Sequence, residues 1–213
     1  MLKFGGTSLA SPKDISGVAK TVASFSKDND IVVVCSAVDG ITDDLIQISR
    51  MIEQRKKNDV AEALEKIIKK HRKLAEQTIK NSTIKKQLLE KLNGDVSELQ
   101  ELVRGLTLLK EVSARSLDYL ISFGERLSDD LVSYALQDLK KKSTALNGKE
   151  VGIVTDSNFG ESRPLMDTTK IRISKTLGSL LTKKVIPVVG GFAGADQHGN
   201  ITTFGRGGSD FTA

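Results

Sequence analysis

The chain has 213 residues, 38% of them apolar and 28% charged, with a net charge of +5. That balance belongs to a globular domain with a core of its own and excludes a disordered or fibrous chain. No apolar run reaches the roughly 18 residues of a membrane span, and Met1 leads straight into a strand-like segment rather than an apolar signal region, so a cytoplasmic protein is predicted.

Leu2 to Phe4 predicts a short strand running into the turn Gly5-Gly6-Thr7-Ser8. A helix follows, announced by Ser11 as N-cap, Pro12 at its first position and Asp14 three residues after the cap, with Ile15, Val18, Ala19, Val22 and Phe25 as its buried stripe. Ile31 to Cys35 is a near-continuous apolar strand of the kind found where both faces of a parallel sheet are covered, which makes Cys35, the single cysteine, a buried strand residue without a disulfide partner. A right-handed crossover between these strands would bring the loops after both of them to one edge of the sheet.

Ser36 and Thr42 flank the turn after the second strand. Thr42 with Asp43 and Asp44 reads as the start of a helix, with Thr42 either its N-cap or a hydroxyl aimed at a ligand. Helical sequence then runs to about Leu139, with breaks predicted at Asn93-Gly94 and around Gly124; the second break would set Glu125 at a helix start, its charge facing the dipole. Strand signals return at Ser143 to Leu146, Val151 to Thr155 and Val185 to Val189, with a helix near Thr168 to Leu181, and Asp196 to Asn200 reads as a hairpin turn flanked by Ala195 and Ile201.

The positive charge is local. Arg55 to Lys91 holds twelve Lys or Arg against five Asp or Glu, while Val60, Leu64, Ile67, Ile68, Leu74 and Ala75 recur at helical spacing, so the lysines fall on a solvent face. Without interleaved aromatic residues this segment does not read as a nucleic-acid surface. His71, on that basic helix, and His198, in the hairpin turn, read as surface histidines rather than metal ligands.

Two stretches carry chemistry. Lys3 precedes Gly5-Gly6, whereas the Walker loop sets its lysine after the glycines, so a different phosphate cradle is implied: an ammonium to neutralise a transferring phosphoryl group and glycine N–H groups to hold its oxygens. Gly190 to Ala213 (GGFAGADQHGNITTFGRGGSDFTA) sets two glycine turns around a threonine pair, Arg206, Ser209 and Asp210, where backbone N–H groups can converge on an anion and a guanidinium offers a fork to a carboxylate.

KFGGTS at the start, SFGERLS at Ser122 to Ser128, and the final glycine-rich stretch, in that order, resemble the aspartokinases, members of the amino acid kinase family. Ser36-Ala37 through Gly40-Ile41-Thr42 and Asn158-Phe159-Gly160 through Arg163-Pro164-Leu165 are also similar to family segments. The resemblance implies a three-layer α/β/α fold whose N-terminal part holds the phosphoryl acceptor and carries a large helical excursion at about 42–139. It implies that the nucleotide-binding half and regulatory ACT domains of family members are absent from this chain, which by itself is then expected to be weakly active or inactive. Lys3 and Asp210 are implied as catalytic, with Lys3, Gly5, Gly6, Thr7 and Ser8 at the phosphates. Glu125 is implied to hold the α-ammonium of aspartate, and Ser36, Thr42, Phe192, Arg206 and Ser209 to complete the amino acid pocket. Many members carry asparagine after the threonine where this chain has Asp43, so an amide-specific contact there is not carried over.

The implied reaction transfers the γ-phosphoryl group of ATP to the β-carboxylate of L-aspartate, giving 4-phospho-L-aspartate, the entry to lysine, threonine and methionine synthesis. A carboxylate acceptor is already ionised at neutral pH, so no general base is required. Mg²⁺ would arrive on the nucleotide phosphates without a dedicated protein ligand, and the full-length protein is expected to be a homo-oligomer. Two other readings stand beside this one: a kinase for a glutamate-type acceptor, and a non-catalytic, polyanion-binding module built on a kinase remnant with the Lys-rich helices as its surface.

Overall fold

A computed structural model of the chain describes residues 1–205. Arg206, Ser209 and Asp210 therefore lie outside the described residues. Four strands, β1 (Leu2–Phe4), β2 (Val33–Cys35), β3 (Ser143–Leu146) and, later in the chain, β5 (Ile186–Gly190), form a wholly parallel sheet in the order β1-β2-β5-β3. Val33 pairs with both Leu2 and Val188, and Val188 with Ala145, so the C-terminal ends of all four strands open on one edge. A smaller sheet joins β4 (Val154–Thr155) in parallel to β6 (Ala193–Asp196), which turns back antiparallel into β7 (Ile201–Thr203).

Strand alternation divides the core into two layers. Val33, Cys35 and Val188 join the main cluster with α1 (Pro12–Phe25) and the long helices, whereas Val189, with Val32 and Leu146, packs on the other side against Ile173 and Leu177 of α7 (Met166–Thr182). This is the three-layer arrangement expected. The cap of α1 is as predicted, with the Ser11 hydroxyl accepting from the Asp14 N–H at 3.2 Å. Its stripe ends earlier than predicted, because Phe25 at the last turn is 53% exposed. Strand β2 is also shorter than Ile31 to Cys35, and the segment at Val151 is the end of a one-turn helix, α6 (Gly148–Val151), that precedes β4.

The helical excursion consists of α2 (Ile41–Glu53), α3 (Lys57–Thr78), α4 (Ser82–Leu109) and α5 (Ala114–Asp138). Neither predicted break exists. α4 runs through Asn93-Gly94 because Leu88, Leu92, Val96, Leu99, Val103 and Leu106 bury one continuous stripe, whose packing outweighs the roughly 1 kcal/mol cost of a mid-helix glycine. α5 runs through Gly124, where the missing side chain lets the helix press on the loop after β2: a Cβ there would stand 3.0 Å from that of Ala37. The actual breaks include left-handed Arg55 (φ 60°) and Lys110 (φ 58°), residues that do not advertise a turn.

His71 departs from the surface reading as well. It is 1% exposed, with Nδ1 2.9 Å from the Ile67 carbonyl oxygen, and burial lowers its pKa to about 4. The lysines around it do lie outward, as the helical spacing predicts. Among the described residues no helix is long and apolar enough to cross a membrane.

Candidate active site

The parallel register sets the site. Gly5-Gly6 follows β1, Ser36 follows β2 and Gly191-Phe192 follows β5, so three turns emerge side by side at one edge of the sheet. Gly6 packs so closely on the β2 loop that a Cβ would stand 2.9 Å from the Ala37 carbonyl oxygen, a contact that only glycine meets without displacement. Gly40, left-handed at φ 77°, caps α2 and places Thr42 inside the first helical turn; Thr42 is thus not the N-cap.

Between these turns and the middle of α5 lies an open cleft of about 800 Å³, whose wall includes Gly6, Ser36, Thr42, Glu125 and Phe192. Five residues named from sequence thus meet on one surface. Lys3, Gly5, Thr7 and Ser8 are not on that wall. Lys3 lies on the exposed side of β1, yet its ammonium acts on Glu125, favouring the charged carboxylate; Thr7 and Ser8 continue into a short 3-10 turn, Gly6–Leu9.

Glu125 is not at a helix start. It sits in the middle of α5, 5% exposed, where its carboxylate accepts hydrogen bonds from the Phe192 N–H at 2.7 Å and from the Gly191 N–H. Burial raises its pKa to about 8 against those two donors and the Lys3 charge. A cation placed in the cleft would meet this carboxylate and favour its ionised form.

Arg126, one residue along, faces away. Its guanidinium bonds Asp95 at 2.6 Å and Glu98 at 2.7 Å and lies 4.4 Å from the Phe123 ring centre, so it ties α5 to α4 and takes no part in the cleft.

Sequence reasoning missed Asp118. Fully buried in the cleft wall, it accepts from the Gly160 N–H (2.9 Å), the Thr203 N–H (2.9 Å) and the Thr203 hydroxyl (2.7 Å), pinning the loop after β4 and strand β7 to α5. A signal was present: Asp118, Ser122, Glu125 and Asp129 recur at helical spacing, a polar stripe on a helix that is otherwise buried nearly all round. The hairpin was legible. Asp196 accepts from the N–H groups of His198 and Asn200, the Asn200 amide and the Ser157 hydroxyl, which together hold its carboxyl down to about 2.

A parallel sheet with glycine turns at its carboxyl edge, a buried acid opposite them and a lysine beside them makes this an α/β domain with a ligand cleft at the strand ends. The sequence profile of the Amino acid kinase family matches residues 1–213, and the chain belongs to that family. It is 34% identical over its whole length to the chloroplastic aspartokinase 3 of Arabidopsis thaliana and 30% identical over 99% of its length to an aspartokinase of Geobacillus stearothermophilus, covering 37% of each. The chain therefore spans little more than a third of these curated relatives. Among solved structures it is similar to E. coli aspartokinase III in complex with lysine and aspartate (TM-score 0.88, 27% identity) and in complex with aspartate and ADP (TM-score 0.88, 26% identity), in each case over all of this chain and under half of the other.

Proposed function

We propose that this chain is the acceptor-binding part of an enzyme that phosphorylates the β-carboxylate of L-aspartate from ATP. The observation that carries the reading is the meeting of Gly6, Ser36, Thr42, Glu125 and Phe192 on one cleft within the field of Lys3, in a fold similar to a kinase solved with aspartate and ADP. In this reading Glu125 takes the α-ammonium, and Ser36, Thr42 and the Phe192 backbone border the amino acid. Arg206 and Ser209, outside the described residues, take its carboxylate. Lys3 and the Gly5-Gly6 amides neutralise and hold the transferring phosphoryl group, with Thr7 and Ser8 beside them, and Asp210 orients the reacting groups.

Charge neutralisation and in-line alignment then supply the catalysis, because the acceptor is already an anion. ATP enters as co-substrate. In this reading Mg²⁺ is carried by the nucleotide phosphates, which need few dedicated protein ligands. Assembly into a homo-oligomer and a cytoplasmic setting belong to the same reading.

The test is a coupled phosphorylation assay on the longer protein that carries this domain, offered L-aspartate and L-glutamate in parallel. Turnover with aspartate that Arg206→Ala lowers about a hundredfold to a thousandfold, as for loss of a preorganised charge-stabilising donor, supports the reading. Turnover with glutamate alone, or an Arg206→Ala variant with normal rate and aspartate KM, overturns it.

A further inference from the structure

One turn beyond Glu125 on α5, Asp129 is buried at 2% exposure, and neither of its carboxylate oxygens has a hydrogen-bond partner. Both acids press on β5 at Gly190: a Cβ built there would stand 2.7 Å from Asp129 Oδ2 and 3.1 Å from Glu125 Oε2. The absent side chain is what admits two carboxylates to the same stretch of strand.

Their surroundings differ. Glu125 has two backbone N–H donors and the Lys3 charge of β1. Asp129 has none of these; it faces Glu125 and Asp130 on its own helix, Glu150 of α6 and the Cys35 thiol of β2. The nearby cations are already engaged, Lys91 of α4 by Asp95 (2.6 Å) and Asp130 (3.4 Å), Arg126 of α5 by Asp95 and Glu98, and Lys149 of α6, which borders the same small cavity as Asp129, by the Gly199 carbonyl (3.0 Å). Among the described residues no three carboxylate, imidazole or thiol groups converge on a metal position that could absorb the excess negative charge. A buried carboxylate that finds no hydrogen-bond donor among the described residues favours its protonated form.

We propose that Glu125 and Asp129 act as one buried diacid in which Asp129 keeps its proton and Glu125 alone ionises, so that docking of an ammonium group against Glu125 expels a proton to solvent. This rests on the assignment of Glu125 to the ligand ammonium and adds to it a linkage between pH and acceptor binding. Burial raises both acids, Glu125 to about 8 and Asp129 well above the usual carboxylate range. Below that window the empty cleft holds a neutral Glu125, and the ammonium-bound form requires the anion. Affinity for the amino acid is then weakened as pH falls, and the proton is released on binding.

Carbon-13 titration of carboxyl-labelled protein, with resonances assigned by Glu125→Gln and Asp129→Asn, tests the assignment without a ligand. The expected result is a Glu125 signal that titrates near 8 and an Asp129 signal that stays in the protonated position beyond it. An Asp129 signal that ionises first, or that moves on exchanging potassium for tetramethylammonium, overturns the proposal, the latter by revealing a cation as the counterion. Calorimetry of L-aspartate binding to the longer protein, in two buffers of different ionisation heat, tests the linkage. Between half a proton and one proton per ligand should be released at pH 7, falling toward none at pH 9, as expected for an acid ionising near pH 8. Absence of release from a wild-type protein that binds aspartate, with Glu125→Gln failing to bind, overturns the linkage and leaves the Glu125 assignment intact. Undiminished binding by Glu125→Gln overturns that assignment itself.

Discussion

Glu125 faces the cleft and Asp129 lies one turn beyond it on α5, both buried near other carboxylates; among the described residues two backbone N–H groups and the Lys3 charge offset Glu125. One residue along, Arg126 divides its guanidinium between Asp95 and Glu98 and covers the Phe123 ring, so that its side of the helix is electrostatically complete. The two sides share a helix and a run of sequence, although Arg126 keeps 19% of its side chain exposed. What differs is whether the protein itself supplies the partner. A buried ion pair supplied from within holds helices in register, whereas a buried acid supplied from within by less than it needs retains free energy for a ligand to release. Asp118 belongs to the first kind although it lines the cleft, because three donors satisfy it.

The comparison breaks most visibly at Glu125. Glu125→Gln is expected to weaken aspartate binding to the longer protein by about 3–4 kcal/mol, the range for losing a buried, hydrogen-bonded charge partner, while changing thermal stability little; equilibrium binding with a parallel melt measures both. Should affinity survive and stability fall, Glu125 would join Arg126 on the structural side. Asp118→Ala should cost about 3 kcal/mol of stability, since the Gly160 and Thr203 donors lose their acceptor, and denaturant unfolding reads it.

Arg126→Met should destabilise by about 2–3 kcal/mol, below the value for fully buried pairs because Glu98 is half-exposed, and leave aspartate affinity unaltered. A fall in affinity as large as that of Glu125→Gln would erase the distinction between the two sides. The smallest effect has the opposite sign. Asp129 has a folded-state pKa above its unfolded value near 3.9, so the unfolded chain gives up this proton first and folding is penalised once the pH passes that value. Asp129→Asn should therefore raise stability at pH 7, by an amount that shrinks as pH falls toward 4; melts across that range follow it.

Much of this arrangement could be read from the chain before the fold was seen, and for physical reasons. β1, β3, the cap of α1 and the Asp196 hairpin follow from local rules, so Leu2, Ser11, Ser143 and Asn200 fall where expected. Of the site, Ser36, Thr42, Glu125, Phe192 and Gly6 were named from motifs and do converge. The misses come from tertiary packing that overrides local preference. Asn93-Gly94 and Gly124 are helical because a buried stripe and a close approach to Ala37 outweigh their turn propensity. Arg55 and Lys110 turn the chain without a glycine, and His71 is drawn inward on a helix whose composition reads as solvated. Asp118 and Asp129 were passed over because an acid inside a helix is ordinarily a surface residue, and only their spacing with Glu125 marks an inward face.

The position of β5 governs how the molecule is made. It lies between β2 and β3, yet in the chain it follows both, after all of α2 to α5. A ribosome delivers the helical block, whose contacts are local and quick to form, long before it delivers the strand that completes the sheet. Until Ile186 to Gly190 emerge, β2 and β3 each present an unpaired edge, and the slot between them is open to any other extended chain. The pocket floor at Gly190 to Phe192 is thus among the last parts of the described fold to be synthesised, and crowding during synthesis threatens the sheet before it threatens the helices.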